Sequence, residues 1–319
     1  ELAVDPQEVQ HLLSKLIFIA SKENNMKVIF EQDVKLGIKT DPLIELKSRG
    51  DVVEIGYGLF LFQGEFLKLF RSLNKYFKCL AIEEFRAIDQ ENPGVWPIDL
   101  FSKVNYLNEF PQHAMLVTAV EQSHENYEKI SKKYTSQNAF TEVSVSQFFE
   151  PAQIGLQPAV CDTCYYALSG QQNMQNTVYT TYNKVFRNET SDRGSLDRLR
   201  VFSVRDIMFI GDKTFVLHTR QRLIDCIKEF LNSCGLKCKI AVADDPFFSG
   251  SVQKKLFQHQ FELKYEILAE IPFLERWIAI GSINLHLDTF AKIFDIKNSG
   301  NLLYSGCIGI GFERILLAF

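Results

Sequence analysis

Two hydrophobic periods share the chain. Near its start Val9, Leu12, Leu13, Leu16 and Ile17 fall at helical spacing and predict an amphipathic helix over 7–23. A segment punctuated by Gly56-Tyr57-Gly58 leads into a second helix, carried by Phe66, Leu67, Phe70, Leu73 and Phe77. Ala114-Met115-Leu116-Val117-Thr118-Ala119-Val120 is an unbroken run of strand length, so 114–121 is predicted as a buried strand. From about 178 onward strand patterns dominate, at 178–187, 199–210, 214–217, 261–271 and 276–285. A helix over about 219–233 interrupts them and another follows Gly311.

Many strands crossed by few helices predict an α+β fold around a mainly antiparallel sheet flanked by helices. Alternating βαβ order is absent, as are GxGxxG after a first strand and GxxxxGK[ST], which removes the common nucleotide-binding folds. No internal repeat or low-complexity linker divides the chain. One catalytic domain over 1–319 is expected, with a helical extension at about 1–25 and a helical insertion at about 219–233.

Composition changes this picture little. Hydrophobic residues make up 46% and charged residues 23%, ordinary for a globular protein, and no apolar run reaches the ~20 residues of a membrane helix. The first residues, Glu1 to Pro6, lack the basic start and apolar run of a signal peptide, and there is no initiator Met. Seven cysteines at irregular spacing do not form a secreted disulfide framework, so a reducing, cytoplasmic setting is expected. The net charge of -4 argues against tRNA as the main partner, because RNA affinity rests on an excess of Lys and Arg. Lys132-Lys133 reads as a solvated helix face.

The chemistry concentrates in three places. Phe186-Arg187-Asn188-Glu189, a polar loop through Gly194, then Arg198-Leu199-Arg200-Val201-Phe202 have the form FRxE, loop, RxxxF. Gly309-Ile310-Gly311-Phe312-Glu313-Arg314 has the form GxGxER and follows a buried strand. Ahead of both lie the helix 64–77, a strand near 79–86 and a turn around Trp96-Pro97. In this order the three segments resemble the motifs of class II aminoacyl-tRNA synthetases. Trp96-Pro97-Ile98-Asp99-Leu100, Tyr106-Leu107-Asn108-Glu109-Phe110-Pro111 and Ser282-Ile283-Asn284-Leu285-His286-Leu287-Asp288 with Phe290 narrow the likeness. They resemble stretches of the amino acid:[carrier protein] ligases, which are similar to seryl-tRNA synthetases without the tRNA-binding arm. The resemblance spans 56–319.

The resemblance implies an antiparallel sheet on which ATP lies. Arg187 would bond the α-phosphate and the amino-acid carboxylate. Glu189, on the same side of its strand, would accept from the adenine amino group. Arg198 would clamp the γ-phosphate, Phe202 would stack on adenine, and Arg314 would hold the ATP tail. The first segment would build a homodimer interface.

That subfamily holds a catalytic Zn2+, and the matching positions are Cys161, Asp206 and Cys307, separated by 45 and 101 residues. Three ligands leave a fourth position for the substrate amino group. The usual carboxylate is Glu, one methylene longer than Asp206. A rival grouping pairs Cys161 and Cys164 with Cys234 and Cys238 as a closed structural zinc site. Glu266 falls where relatives help to hold Mg2+, and is equally an exposed strand residue. Ser282 and Asn284 line an amino-acid pocket or simply face a core. His286 orients a neighbour or is a satisfied core histidine.

The activity implied is ATP-dependent activation of a small amino acid as its adenylate. The aminoacyl group would then pass to the phosphopantetheine thiol of an acyl or peptidyl carrier protein. Arg220, Arg222 and Lys228 on the helix 219–233 would dock the carrier. Two alternatives stand beside this: the catalytic fragment of a seryl-type aminoacyl-tRNA synthetase, and a non-catalytic paralogue.

Overall fold

Eight strands build the main sheet of the computed structural model, which describes residues 27–34, 40–56, 58–133, 148–189, 195–245 and 252–319. In chain order they are β1 (Val28–Gln32), β2 (Ile88–Gln90), β3 (Thr177–Phe186), β4 (Val201–Gly211), β5 (Cys238–Val242), β6 (Lys264–Ile271), β7 (Arg276–Leu287) and β8 (Tyr304–Gly311). Across the sheet they run β1-β5-β6-β7-β8-β4-β3-β2. Every neighbouring pair is antiparallel except β2 with β3. With helices on it, this is the expected α+β architecture. The predicted helix 7–23, the extension 1–25, Tyr57 and Gly194 lie outside the described residues.

Alternation along the strands assigns two faces. Ile207 and Phe209 of β4, Ile308 and Ile310 of β8 and Ile283 of β7 point to one. There they pack with α1 (Gly64–Phe85), α3 (Lys213–Cys234) and α5 (Phe312–Ala318), where Phe77, Phe209 and Phe312 are wholly buried. Each such ring contributes roughly 1.5–3 kcal/mol. Tyr179, Met208, Ile210 and Cys307 point the other way, onto Trp96, Phe101, α2 (Cys161–Ala167) and α4 (Thr289–Phe294). Central strands are covered on both sides, which is why β4 reads as the continuous apolar run Ile207-Met208-Phe209-Ile210.

Four local expectations are corrected. Residues 79–86 are not a strand: Phe77, Ala81 and Phe85 continue the buried stripe of α1 to its end at Phe85, and Arg86 closes it in the left-handed conformation. Residues 214–217 are not a strand either. Asp212 accepts from the Phe215 N–H at 2.9 Å and starts α3 at Lys213, overriding the strand preference of Thr214-Phe215-Val216. Within 114–121 only Leu116–Val117 form a strand, in a three-stranded side sheet where Leu116 is exposed rather than buried, and Val120 adds an isolated bridge to Phe149. Trp96-Pro97 belongs to a strand of that side sheet, Val95–Pro97, with Trp96 at its core.

Candidate active site

β3 and β4 are consecutive, and their free ends carry the arginines. Beyond Phe186 the ladder continues for one bond, from the Arg187 N–H to the Arg200 carbonyl at 3.0 Å. The Arg187 Nε donates to the Pro158 carbonyl at 3.1 Å, and its guanidinium stands 5.4 Å from the centre of the Phe202 ring. Arg198 reaches back to Glu189, Nη1 to Oε2 at 3.8 Å. Arg314 enters from the first turn of α5, donating to the Asp197 carbonyl at 2.7 Å and the Ala279 carbonyl at 3.0 Å. Burial lowers its pKa and so does the Arg187 charge, with Arg198 adding to the effect, while Asp197 and Glu189 oppose it. Three arginines and one glutamate from two motifs thus share one field, an arrangement that suits a polyanion.

Glu313, beside Arg314, explains how α5 is held. Its buried carboxylate accepts from the Ser203 N–H at 2.8 and 3.0 Å and from the Ser203 hydroxyl at 2.8 Å. The first turn of α5 is therefore pinned to the strand that carries Phe202.

Strand register lines up the remaining candidates. Glu266 pairs with Ser282, Ser282 with Gly309, Gly309 with Asp206, and Asp206 with Thr181. The next row is Lys264, Asn284, Cys307, Met208 and Tyr179. Both rows lie on the face that carries α2. The Asn284 amide donates to the Ser282 hydroxyl at 3.1 Å and to the Cys307 sulfur at 3.5 Å. Lys264 is buried with its ammonium 2.7 Å from Asp245 and 3.3 Å from Glu266. Burial works against that charge, but Asp245 and then Glu266 outweigh it and keep its pKa above the usual value.

Cys161 opens α2 over the same rows. Its thiol hydrogen-bonds Cys307, which pushes the Cys161 thiol well up and holds Cys307 well down. Asp206 lies beside them, 5% exposed, and accepts from the Cys161 backbone N–H. Burial, then the neighbouring Cys307 and Asp162, push its pKa well above the carboxylate range. The Cys161 sulfur also stands 3.5 Å from the Asp162 carboxylate, and burial pushes Asp162 up to about 6. Two thiols and a buried carboxylate have the donor chemistry of a thiophilic divalent cation. Among the described residues, no group of three or more His, Cys, Asp or Glu side chains is placed to hold a metal ion.

The rival four-cysteine grouping is excluded by the sheet. Cys238 and Cys234 pack on the face of α1 and α3, whereas Cys161 and Cys164 pack on the opposite face. In the carrier dock expected on α3, the place of Arg220 needs correction. Arg220 is buried, donating to the Glu262 carbonyl at 2.6 Å with its guanidinium 4.4 Å from the Tyr265 ring centre. Arg222 pairs with Glu84 and Lys228 with Asp225. Sequence reasoning passed over Asp162, Lys264 and Asp245. Cys161-Asp162 and Lys264-Tyr265-Glu266 were the visible signals, since an acid or ammonium there shares the neighbourhood of a flagged residue.

No family model matches the chain. It is 22% identical over 287 residues to the type-2 serine–tRNA ligase of Methanothermobacter thermautotrophicus, covering 88% of this chain and 56% of the relative. To amino acid–[acyl-carrier-protein] ligase 1 of Bradyrhizobium diazoefficiens it is 29% identical over 230 residues, covering 71% and 68%. Among solved structures, M. kandleri SerRS in complex with A. aeolicus tRNASec superposes with a TM-score of 0.81 at 20% identity, covering 99% of this chain and 66% of that one. The chain spans about half the length of the serine–tRNA ligases it matches. Among the described residues no helix is long and apolar enough to cross a membrane. The chain therefore has the class II synthetase-like fold, and its sequence is similar to type-2 serine–tRNA ligases and amino acid–[acyl-carrier-protein] ligases.

Proposed function

We propose that the chain is an adenylate-forming ligase that activates a small amino acid with ATP and passes it to the phosphopantetheine thiol of a carrier protein. The observation that carries this reading is the convergence of Arg187, Arg198 and Arg314 with Glu189 beside Phe202. Adenine lies against Phe202 and donates its amino group to Glu189. Arg187 bonds the α-phosphate and the incoming carboxylate as charge builds between them, and Arg198 and Arg314 hold the departing pyrophosphate. Positioning and electrostatic stabilisation supply the acceleration, with no covalent protein nucleophile.

Cys161, Asp206 and Cys307 would hold Zn2+, which would supply a Lewis-acid site for the substrate α-amino group. Ser282 and Asn284, in the adjoining rows, line the pocket for the rest of the amino acid. Glu266 would help to hold the Mg2+ that accompanies ATP, and Lys264 fixes its carboxylate from 3.3 Å away. The whole of 1–319 acts as one catalytic domain, assembled as a homodimer in the cytoplasm.

The carrier reading is supported by the amino acid–[acyl-carrier-protein] ligase relatives and by the net charge of -4. The serine–tRNA ligase relatives favour a second reading, in which the chain is the catalytic part of a tRNA ligase. Amino-acid-dependent pyrophosphate exchange across the twenty amino acids, followed by transfer assays with tRNA and holo-carrier protein, separates them. Exchange with thiol acylation supports the first; exchange with tRNA acylation supports the second; no exchange with any amino acid defeats both.

A further inference from the structure

The sulfur of Cys307 is approached by three groups. The Asn284 amide donates to it at 3.5 Å, the Cys161 thiol adjoins it, and the His286 Nε2 stands 3.6 Å away. The Asn284 amide brings a proton, so the sulfur already serves as an acceptor. The other His286 nitrogen, Nδ1, lies 3.5 Å from the Ser305 hydroxyl, which can donate to it. The ring is boxed: Tyr165 and Phe290 stack on each other at 4.4 Å, and both meet His286 edge-on at 88°. Tyr165 is itself tied to the Gly306 carbonyl at 2.8 Å, one residue from Cys307. A register shift in β7 between Leu285 and Leu287, with Leu287 at φ 55°, places His286 in this box. A non-glycine residue in the left-handed region persists only where its surroundings hold it.

We infer that His286 is a positioning residue for Cys307: it donates its Nε2–H to the sulfur, with Ser305 holding the opposite nitrogen, and so presents Cys307 as a metal and substrate-facing ligand. This rests on the proposed zinc role of Cys307, but the hydrogen bond itself is a property of the chain alone. Partners of this kind fix ligand orientation, and their removal typically costs 10–100-fold in metal affinity.

The test uses the full chain, labelled with 15N-histidine and compared with His286→Ala, His286→Gln and Cys307→Ala. The His286 signal is assigned by its loss in His286→Gln. In metal-free protein it is expected to report Nε2–H, and to shift in Cys307→Ala but not in Cys164→Ala. Zinc affinity, measured by chelator competition, is expected to fall about 10–100-fold in His286→Ala. It should recover in His286→Gln, whose amide can donate from a similar place. The amino-acid KM should rise in His286→Ala while the ATP KM stays. A proton on Nδ1, or a signal indifferent to Cys307→Ala, overturns the inference, as does unchanged zinc affinity in His286→Ala. If the wild-type chain binds no zinc, the zinc reading fails, and the nitrogen signal alone decides for or against His286.

Discussion

A Cβ on Gly309 would stand 2.7 Å from the Oδ1 of Asp206, its neighbour in register on β4. That contact is too close for any side chain, and Asp206 is held by the Cys161 N–H in a buried setting. Gly309→Ala therefore turns the carboxylate away from the thiols. Pyrophosphate exchange is expected to fall about 100-fold, as for a misplacement of about 1 Å. Stability should drop by only about 1–3 kcal/mol, the range of a tolerated overpacking. Exchange rates beside thermal melts check this; an active Gly309→Ala enzyme would remove Asp206 from the site.

Arg187→Ala should leave the fold and abolish adenylation. Among the described residues its side chain meets one carbonyl and one ring face, so the expected stability loss is about 1 kcal/mol. Losing a group aimed at developing charge costs about 100–1,000-fold or more in rate. Normal pyrophosphate exchange by this variant would overturn the role given to the FRxE segment.

Metal analysis of single cysteine variants tests the zinc reading. The wild-type chain should carry about one zinc, as a three-ligand catalytic site would. Cys307→Ser and Asp206→Asn should lose or weaken it, Asp206→Glu should keep it, and Cys164→Ser should change little. Zinc retained by Cys307→Ser and lost from Cys164→Ser would contradict the assignment.

Glu313 provides a pH prediction. Burial raises its pKa, against the pull of Lys184 and the Ser203 N–H. A carboxyl raised on folding contributes stability that is fully present below its unfolded value, about 4.3, and is lost as pH rises through the higher folded value. Glu313→Gln should flatten that decline in urea melts run from pH 4 to neutrality. A decline of the same size in the variant would assign it to another group.

α1 exposes Leu69, Tyr76 and Ile82, and Ile88 just beyond it is 51% exposed. A two-fold dimer would cover such a face. Sedimentation should show a dimer at micromolar concentration, shifted toward monomer by Leu69→Glu. A wild-type monomer would defeat the proposal.

Legibility in the sequence followed the range of the interactions. FRxE, RxxxF and GxGxER were readable because each places its groups within a turn or a strand pair. The extent of α3 was not, because Thr214-Phe215-Val216 prefer a strand locally and only the Asp212 cap and the long stripe from Val216 to Leu231 settle the helix. The burial of Arg220 under Tyr265 depends on β6, far along the chain, and no local pattern announces it. The row joining Glu266, Ser282, Gly309, Asp206 and Thr181 exists only once five strands have found their register. Motifs named most of these residues, but none could show that they are neighbours.

Adjacent residues on β4 live in different worlds. Arg205 faces α1, bonded to Asn74 and Thr180, while Asp206 faces the thiols. A one-residue insertion or deletion in this strand would exchange the two faces. An insertion would carry Asp206 into the apolar place of Ile207 and Arg205 into the place of the carboxylate, and a deletion would bring Ile207 there instead. Divergence along β4 should therefore proceed by substitution alone, with changes of length confined to the connections at either end.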